Sequence, residues 1–146
     1  MAMVSHVLVE EVAKVRAFGA KKYAPQISLG VFLLASQLAD LIWPNLVLLG
    51  IETFTIAPGN TVLTPLEFTH YPFSHSLLAL VVWGICLGGL YAWIRRGGVK
   101  AAVVIALVVV SHWILDFVTH RADMPLTLDE SYLVGLSLWN YPLVAV

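Results

Sequence analysis

The sequence predicts an all-α polytopic transmembrane helix bundle with three clear spans and a short fourth apolar segment, and three observations carry that expectation. Of the 146 residues, 60% are hydrophobic and 12% are charged, with a mean hydropathy of +0.87, far from a soluble composition. Apolar stretches at residues 27–49, 73–94 and 99–119 each match the ~20 residues that a helix needs to cross hydrocarbon. Basic residues gather between these stretches, which is a topology signal rather than a phosphate-tracking stripe. The formal net charge of -1 by itself says nothing about nucleic acid; with the basic residues laid out for topology, the expected partner is membrane lipid and not nucleic acid.

Residues 1–26 read as an N-terminal amphipathic, interfacial segment and residues 27–146 as the transmembrane helical domain. Within residues 4–22, Val4, Val7, Leu8, Val12, Val15 and Phe18 fall towards one side, leaving Lys14, Arg16, Lys21 and Lys22 for headgroups. Glu10 and Glu11 break any apolar core of a secretory signal, so the first span is expected to serve as the insertion signal. Pro25 precedes that span, and Trp43 and Pro44 near its far end predict an interfacial anchor and a kink or early exit. Residues 50–72, rich in Thr, Pro and Gly, read as a long loop of the kind that is often functional. The second and third spans are joined by the tight turn Arg95-Arg96-Gly97-Gly98. The last apolar segment, residues 132–146, is short for a span, and Asn140-Tyr141-Pro142 within it reads as a re-entrant turn.

Lys14, Arg16, Lys21 and Lys22 precede the first span, Arg95, Arg96 and Lys100 fill the second turn, and residues 50–72 contain no Lys or Arg. The positive-inside rule then predicts a cytoplasmic N-terminus, with residues 50–72 and 121–130 outside. Gly84 and Gly88, with Gly89 adjacent, form a face that another helix could approach closely, in a homo-oligomer or a larger membrane complex. Trp83, Trp93, Trp113 and Trp139 fit span or interface packing, and Cys86 fits a small buried hydrophobe.

On this apolar background the ionisable residues are conspicuous. A charged group at membrane depth costs at least a few kcal/mol, so such residues face a bundle interior and mark a functional site. His112 and Asp116 stand four residues apart, on one helix face. They can supply two ligands to one metal ion or form a polar clasp between helices. Asp40, from another span, is a helix-packing residue if alone and a further ligand if it joins them; His75 opens the second span at similar depth. In His70-Tyr71-Pro72-Phe73-Ser74-His75-Ser76, Pro72 fixes the chain before the helix, Ser74 is the expected cap, and His70 is placed over the mouth of the site. Glu67 reads as a solvated loop carboxylate, His120 as a neighbouring or surface residue beside Arg121, and His6 as surface.

An Asp in the first span, His-x-x-x-x-His-Ser opening the next and His-x-x-x-Asp in the third resemble the bacterial membrane-bound metal-dependent hydrolases, a group with an SOS-inducible member. Here these are Asp40, His70 with His75 and Ser76, and His112 with Asp116, and the resemblance covers residues 17–146. It implies a multi-span inner-membrane protein with a divalent metal and a hydrolytic activity, in some cases linked to zinc phospholipases. The chain departs from the pattern where relatives carry Gly-His next to the first helix: Ser5-His6 lies well upstream.

The expected function is therefore metal-dependent, zinc-type hydrolysis of an amphiphile such as a phospholipid or other phosphoester. Asp40, His75, His112 and Asp116 are the expected ligands, and Asp40 or His70 moves the proton. Two alternatives stand beside it: an accessory subunit whose cluster is a structural metal site or clasp, and a haem protein with His75 and His112 as axial ligands.

Overall fold

The computed structural model describes residues 2–61 and 65–141, with side chains of the first helix from Glu11 onward. The side chains of Val4, His6, Val7 and Leu8, and the end of the chain from Pro142, lie outside the described residues. Six α-helices make up most of the chain: α1 (Ala2–Tyr23), α2 (Leu29–Ser36), α3 (Leu38–Leu48), the single turn α4 (Pro72–His75), α5 (Leu77–Arg95) and α6 (Gly98–Thr119). Helices α5 and α6 are each long and apolar enough to cross a membrane. The pair α2 and α3 adds a third crossing when the two are taken as one bent span.

The bend in that pair is 50° and falls at Gln37, not at Pro44, which α3 carries in its interior. Ser36 turns its hydroxyl back onto the Leu33 carbonyl at 2.9 Å, and the Gln37 N–H is shared between Leu33 and Leu34. This tightened turn ends α2 and restarts the helix in a new direction. Ser28 caps the start of α2 by accepting from the Val31 N–H.

Helix α1 packs on the bundle through the small residues Ala13, Ala17 and Ala20, all buried, while Val15 and Phe18 are exposed. The expected apolar face is therefore reversed, because short side chains let the helix backbones approach closely and branched or aromatic ones do not. Ala17 and Ala20 join Phe32, Ala35, Leu80, Ile105 and Val109 in one core.

Gly84 and Gly88 serve the same purpose between α5 and α6. A Cβ on Gly84 would stand 3.0 Å from the Ala106 carbonyl oxygen, and one on Gly88 would collide with that of Ala102. The glycine face expected to receive another subunit is thus filled by the chain's own α6.

The long loop expected at residues 50–72 is a hairpin, so the chain is not purely helical. Strand β1 (Thr53–Ile56) pairs antiparallel with β2 (Leu66–His70), Phe54 opposite Phe68, and a bulge interrupts the register between Thr53 and Phe54. Both phenylalanines pack on Trp43 of α3, with ring centroids 5.4 and 5.5 Å away, which fixes the hairpin over one end of the bundle. The final apolar segment is not a helix among the described residues. Strand β4 (Leu133–Val134) pairs with β3 (Met124–Pro125), and a 3-10 turn follows at Leu138–Asn140.

Gly88→Ala is expected to force α5 and α6 apart and cost about 1–3 kcal/mol. Gly89, whose Cβ would meet nothing within 4 Å, should accept Ala with no loss. Thermal unfolding of the two variants in detergent checks the contrast, and equal midpoints would contradict the packing.

Candidate metal centre

Because a helix repeats every 3.6 residues, His112 and Asp116 of α6 project side by side, and Nε2 of the first lies 3.1 Å from Oδ2 of the second. Asp40 arrives from the first turn of α3, just beyond the bend at Gln37. His75 is the last residue of α4, whose first turn is set by Pro72. Asp40 Oδ1 stands 3.6 Å from both imidazole Nε2 atoms, and Asp116 Oδ2 is 4.0 Å from His75 Nε2. The ligand atoms of Asp40, His75 and His112 all lie within 4.8 Å of one another, close enough to hold one metal ion. Three separate elements have converged on one point.

Each imidazole is oriented by its other nitrogen. His112 Nδ1 is 3.0 Å from the Ser36 carbonyl oxygen and donates to it, which leaves Nε2 facing the cluster. His75 Nδ1 is 2.6 Å from Ser74 Oγ; that hydroxyl donates to Glu52 Oε2 at 2.6 Å, and the Ser74 N–H donates to Glu52 Oε1 at 2.8 Å. Glu52 is only 1% exposed. Ser74 is therefore not the helix cap expected from the sequence. Tyr71 precedes α4, and Ser76 caps α5 through the Ala79 N–H.

Arg16 corrects a second expectation. It does not reach for headgroups but turns inward, donating to Ser111 Oγ at 2.9 Å and to the carbonyl oxygens of Ser36 and Val108 at 3.0 and 2.6 Å. Burial lowers its pKa to about 10, with the nearby carboxylates of Asp116 and Asp40 opposing the shift, so it remains cationic at neutral pH. Tyr71 closes the cluster from the loop side, its ring 5.5 Å from that of His75 and its hydroxyl donating to the Asp123 carbonyl at 2.9 Å. Burial, with Asp123 nearby, pushes this phenol well above its ordinary value, so it acts as a donor.

Two features bear on what the cluster can hold. Asp116 Oδ2 is buried and is approached only by imidazole nitrogens, His112 Nε2 at 3.1 Å and His75 Nε2 at 4.0 Å, with no backbone or hydroxyl donor. A cation at the shared point would satisfy it. The Asp40 side chain is 42% exposed where both imidazoles are 8%, so the cluster opens on the Asp40 side. Haem does not fit between the two histidines, because carboxylate oxygens lie 3.1–4.0 Å from both Nε2 atoms, where a porphyrin plane would have to pass.

The remaining candidates lie around this centre. His70, at the end of β2, is half exposed and held by Glu130 Oε2 at 2.8 Å, not by the four-residue cluster. His120 is buried, paired with Asp123 at 3.4 Å and packed on Trp139. Glu67 lies in β2, 3.8 Å from the Arg121 guanidinium. Sequence context marks neither Glu52 nor Ser36, and it marks Ser74 only as a helix cap and Arg16 only as a headgroup residue.

A family model described as "YdjM inner membrane protein" matches residues 1–128. No curated protein and no solved structure matches the chain.

Ser74→Ala removes both the donor to Glu52 and the acceptor of His75 Nδ1, leaving a buried carboxylate and an imidazole short of a partner. A loss of about 1–3 kcal/mol is expected in metal-free protein. Thermal unfolding in detergent measures it; a midpoint equal to that of the unsubstituted chain would contradict the Glu52–Ser74–His75 chain of bonds.

Proposed function

The chain belongs to the YdjM inner membrane protein family, and from that premise we propose that it is a membrane-embedded hydrolase dependent on a divalent metal, zinc by its donor set. His75, His112 and Asp116 are the proposed ligands, with Asp40 as fourth ligand or general base, and the observation that carries this is the convergence of donor atoms of Asp40, His75 and His112 within 4.8 Å. Imidazole and carboxylate are the donors that Zn²⁺ takes when thiolates are absent. Formal charge supports a cation, because Arg16 offsets only one of the two carboxylates of Asp40 and Asp116.

When bound, the ion would polarise a substrate oxygen and lower the pKa of a water molecule. The chain's residues supply the rest. Glu52 and the Ser36 carbonyl hold the two imidazoles in the tautomer that presents Nε2. Asp40, the exposed member, would take a proton from the attacking water, and His70, at the end of β2 and held by Glu130, is the alternative proton carrier. The exposed side chain of Asp40 favours this open, catalytic arrangement over a closed structural site or clasp. His112 lies about 10 Å of helix rise from the end of α6, near the headgroup level, which favours an amphiphilic phosphoester such as a phospholipid.

The orientation proposed for this multi-pass chain is a cytoplasmic N-terminus, with the hairpin and the centre towards the outer face. It is supported by the basic residues before α2 and between α5 and α6.

Purified protein is expected to carry one zinc per chain and to release diacylglycerol or phosphatidic acid from a zwitterionic or anionic phospholipid only when loaded. His112→Ala and Asp116→Ala should lose stoichiometric metal while still inserting in the membrane, since insertion depends on apolar length. Glu52→Gln should weaken metal affinity roughly 10–100-fold without abolishing it. Full metal content in the His112 and Asp116 variants would overturn the proposal. For orientation, a cysteine replacing Thr61 in a Cys86→Ser background should react with an impermeant thiol reagent in intact cells; labelling only of a cysteine replacing Gly97 would reverse the topology.

A further inference from the structure

At the opposite end of the bundle from the metal centre, α2 and α5 enclose a groove of about 440 Å³. We propose that this groove binds one anionic diacyl phospholipid as a resident ligand, separate from any substrate of the centre. Its wall is apolar, formed by Leu34 of α2 and by Leu87, Leu90 and Ile94 of α5. Leu34, Leu90 and Ile94 are 42%, 50% and 62% exposed, and so available to an acyl chain. Its rim is polar and basic: Lys21, Gln26, Ser28 and Arg95 border it, and no acidic residue does.

The rim is built to meet an anion. The Lys21 ammonium is fixed over the mouth by the carbonyl oxygens of Pro25 and Ile27, both at 2.5 Å, which leaves its third N–H for a ligand. Ser28 accepts from the Val31 N–H at 3.3 Å, so its own hydroxyl proton is available to donate. Arg95, the last residue of α5, is exposed and supplies a planar fork that suits a phosphate. A basic pocket between spanning helices above an apolar slot is the arrangement that recognises anionic headgroups. About 28 Å of helix rise separates Arg95 from His75, so the two sites sit at different membrane depths, and this inference stands whatever the centre does.

The test uses the full-length protein in detergent, titrated with phosphatidylglycerol or with phosphatidylcholine of identical acyl chains and read by native mass spectrometry. Phosphatidylglycerol should bind more tightly and to one copy per chain. Arg95→Gln should reduce that preference about fivefold, Arg95→Lys should keep most of it, and Leu34→Trp, which fills the slot, should weaken both lipids. Equal binding of the two lipids by the unsubstituted protein, or an unchanged preference in Arg95→Gln, would overturn the proposal. Arg95 is exposed, so these variants fold, and an unchanged thermal midpoint verifies it.

Discussion

The carbonyl group of Ser36 is the joint on which the bundle turns. It sits where α2 ends at the 50° bend, and it accepts from Arg16 of α1 at 3.0 Å and from His112 of α6 at 3.0 Å. In an apolar medium a backbone carbonyl without a partner is costly, so a helix can break at this depth only where something else donates to it. Arg16 and His112 do so. The same bond that permits the break fixes His112 in the tautomer that presents Nε2, and the break redirects α3 so that Asp40 comes within 3.6 Å of that nitrogen. Helix geometry, charge burial and the centre are thus one solution to one constraint.

A parallel arrangement holds the other histidine. The hairpin would be an ordinary surface element were it not for Glu52 at its foot, which reaches into the protein to bind both the N–H and the hydroxyl of Ser74. Through Ser74 it sets His75. Trp43, Phe54 and Phe68 weld the hairpin to α3, so the loop region that carries Glu52 and the helix that carries Asp40 move as a unit. The cluster is thus held by α3, α4 and α6, with Asp40 its exposed member.

Much of this was readable in the sequence. The apolar stretches gave the helices, and the four-residue spacing of His112 and Asp116 gave their shared face. Depth along the spans brought Asp40 and His75 to the same end. What could not be read was the burial of charge outside the spans. Arg16 looks like a headgroup residue because its neighbours Lys14, Lys21 and Lys22 are; only the Ala13, Ala17, Ala20 and Ala24 spacing, a small-residue stripe, marks that side of α1 as the packed one. Glu52 carries no such mark, since a single acid after Gly50-Ile51 has the same local context whether solvated or buried. The bend at Gln37 was hidden for a related reason: Pro44 is the local signal for a kink, whereas the actual break depends on donors from residues 20 and 76 positions away. The hairpin's alternation was masked by the Thr, Pro and Gly around it.

On the proposed reading, two imidazoles and the carboxylates of Asp40 and Asp116 share one ion. X-ray absorption at the zinc edge of the loaded, full-length protein tests it most directly. The expected first shell is nitrogen and oxygen at about 2.0–2.2 Å, with the outer scattering of two imidazole rings and no sulfur. A shell of oxygen alone, a sulfur scatterer from Cys86, or an outer pattern without imidazole would contradict it.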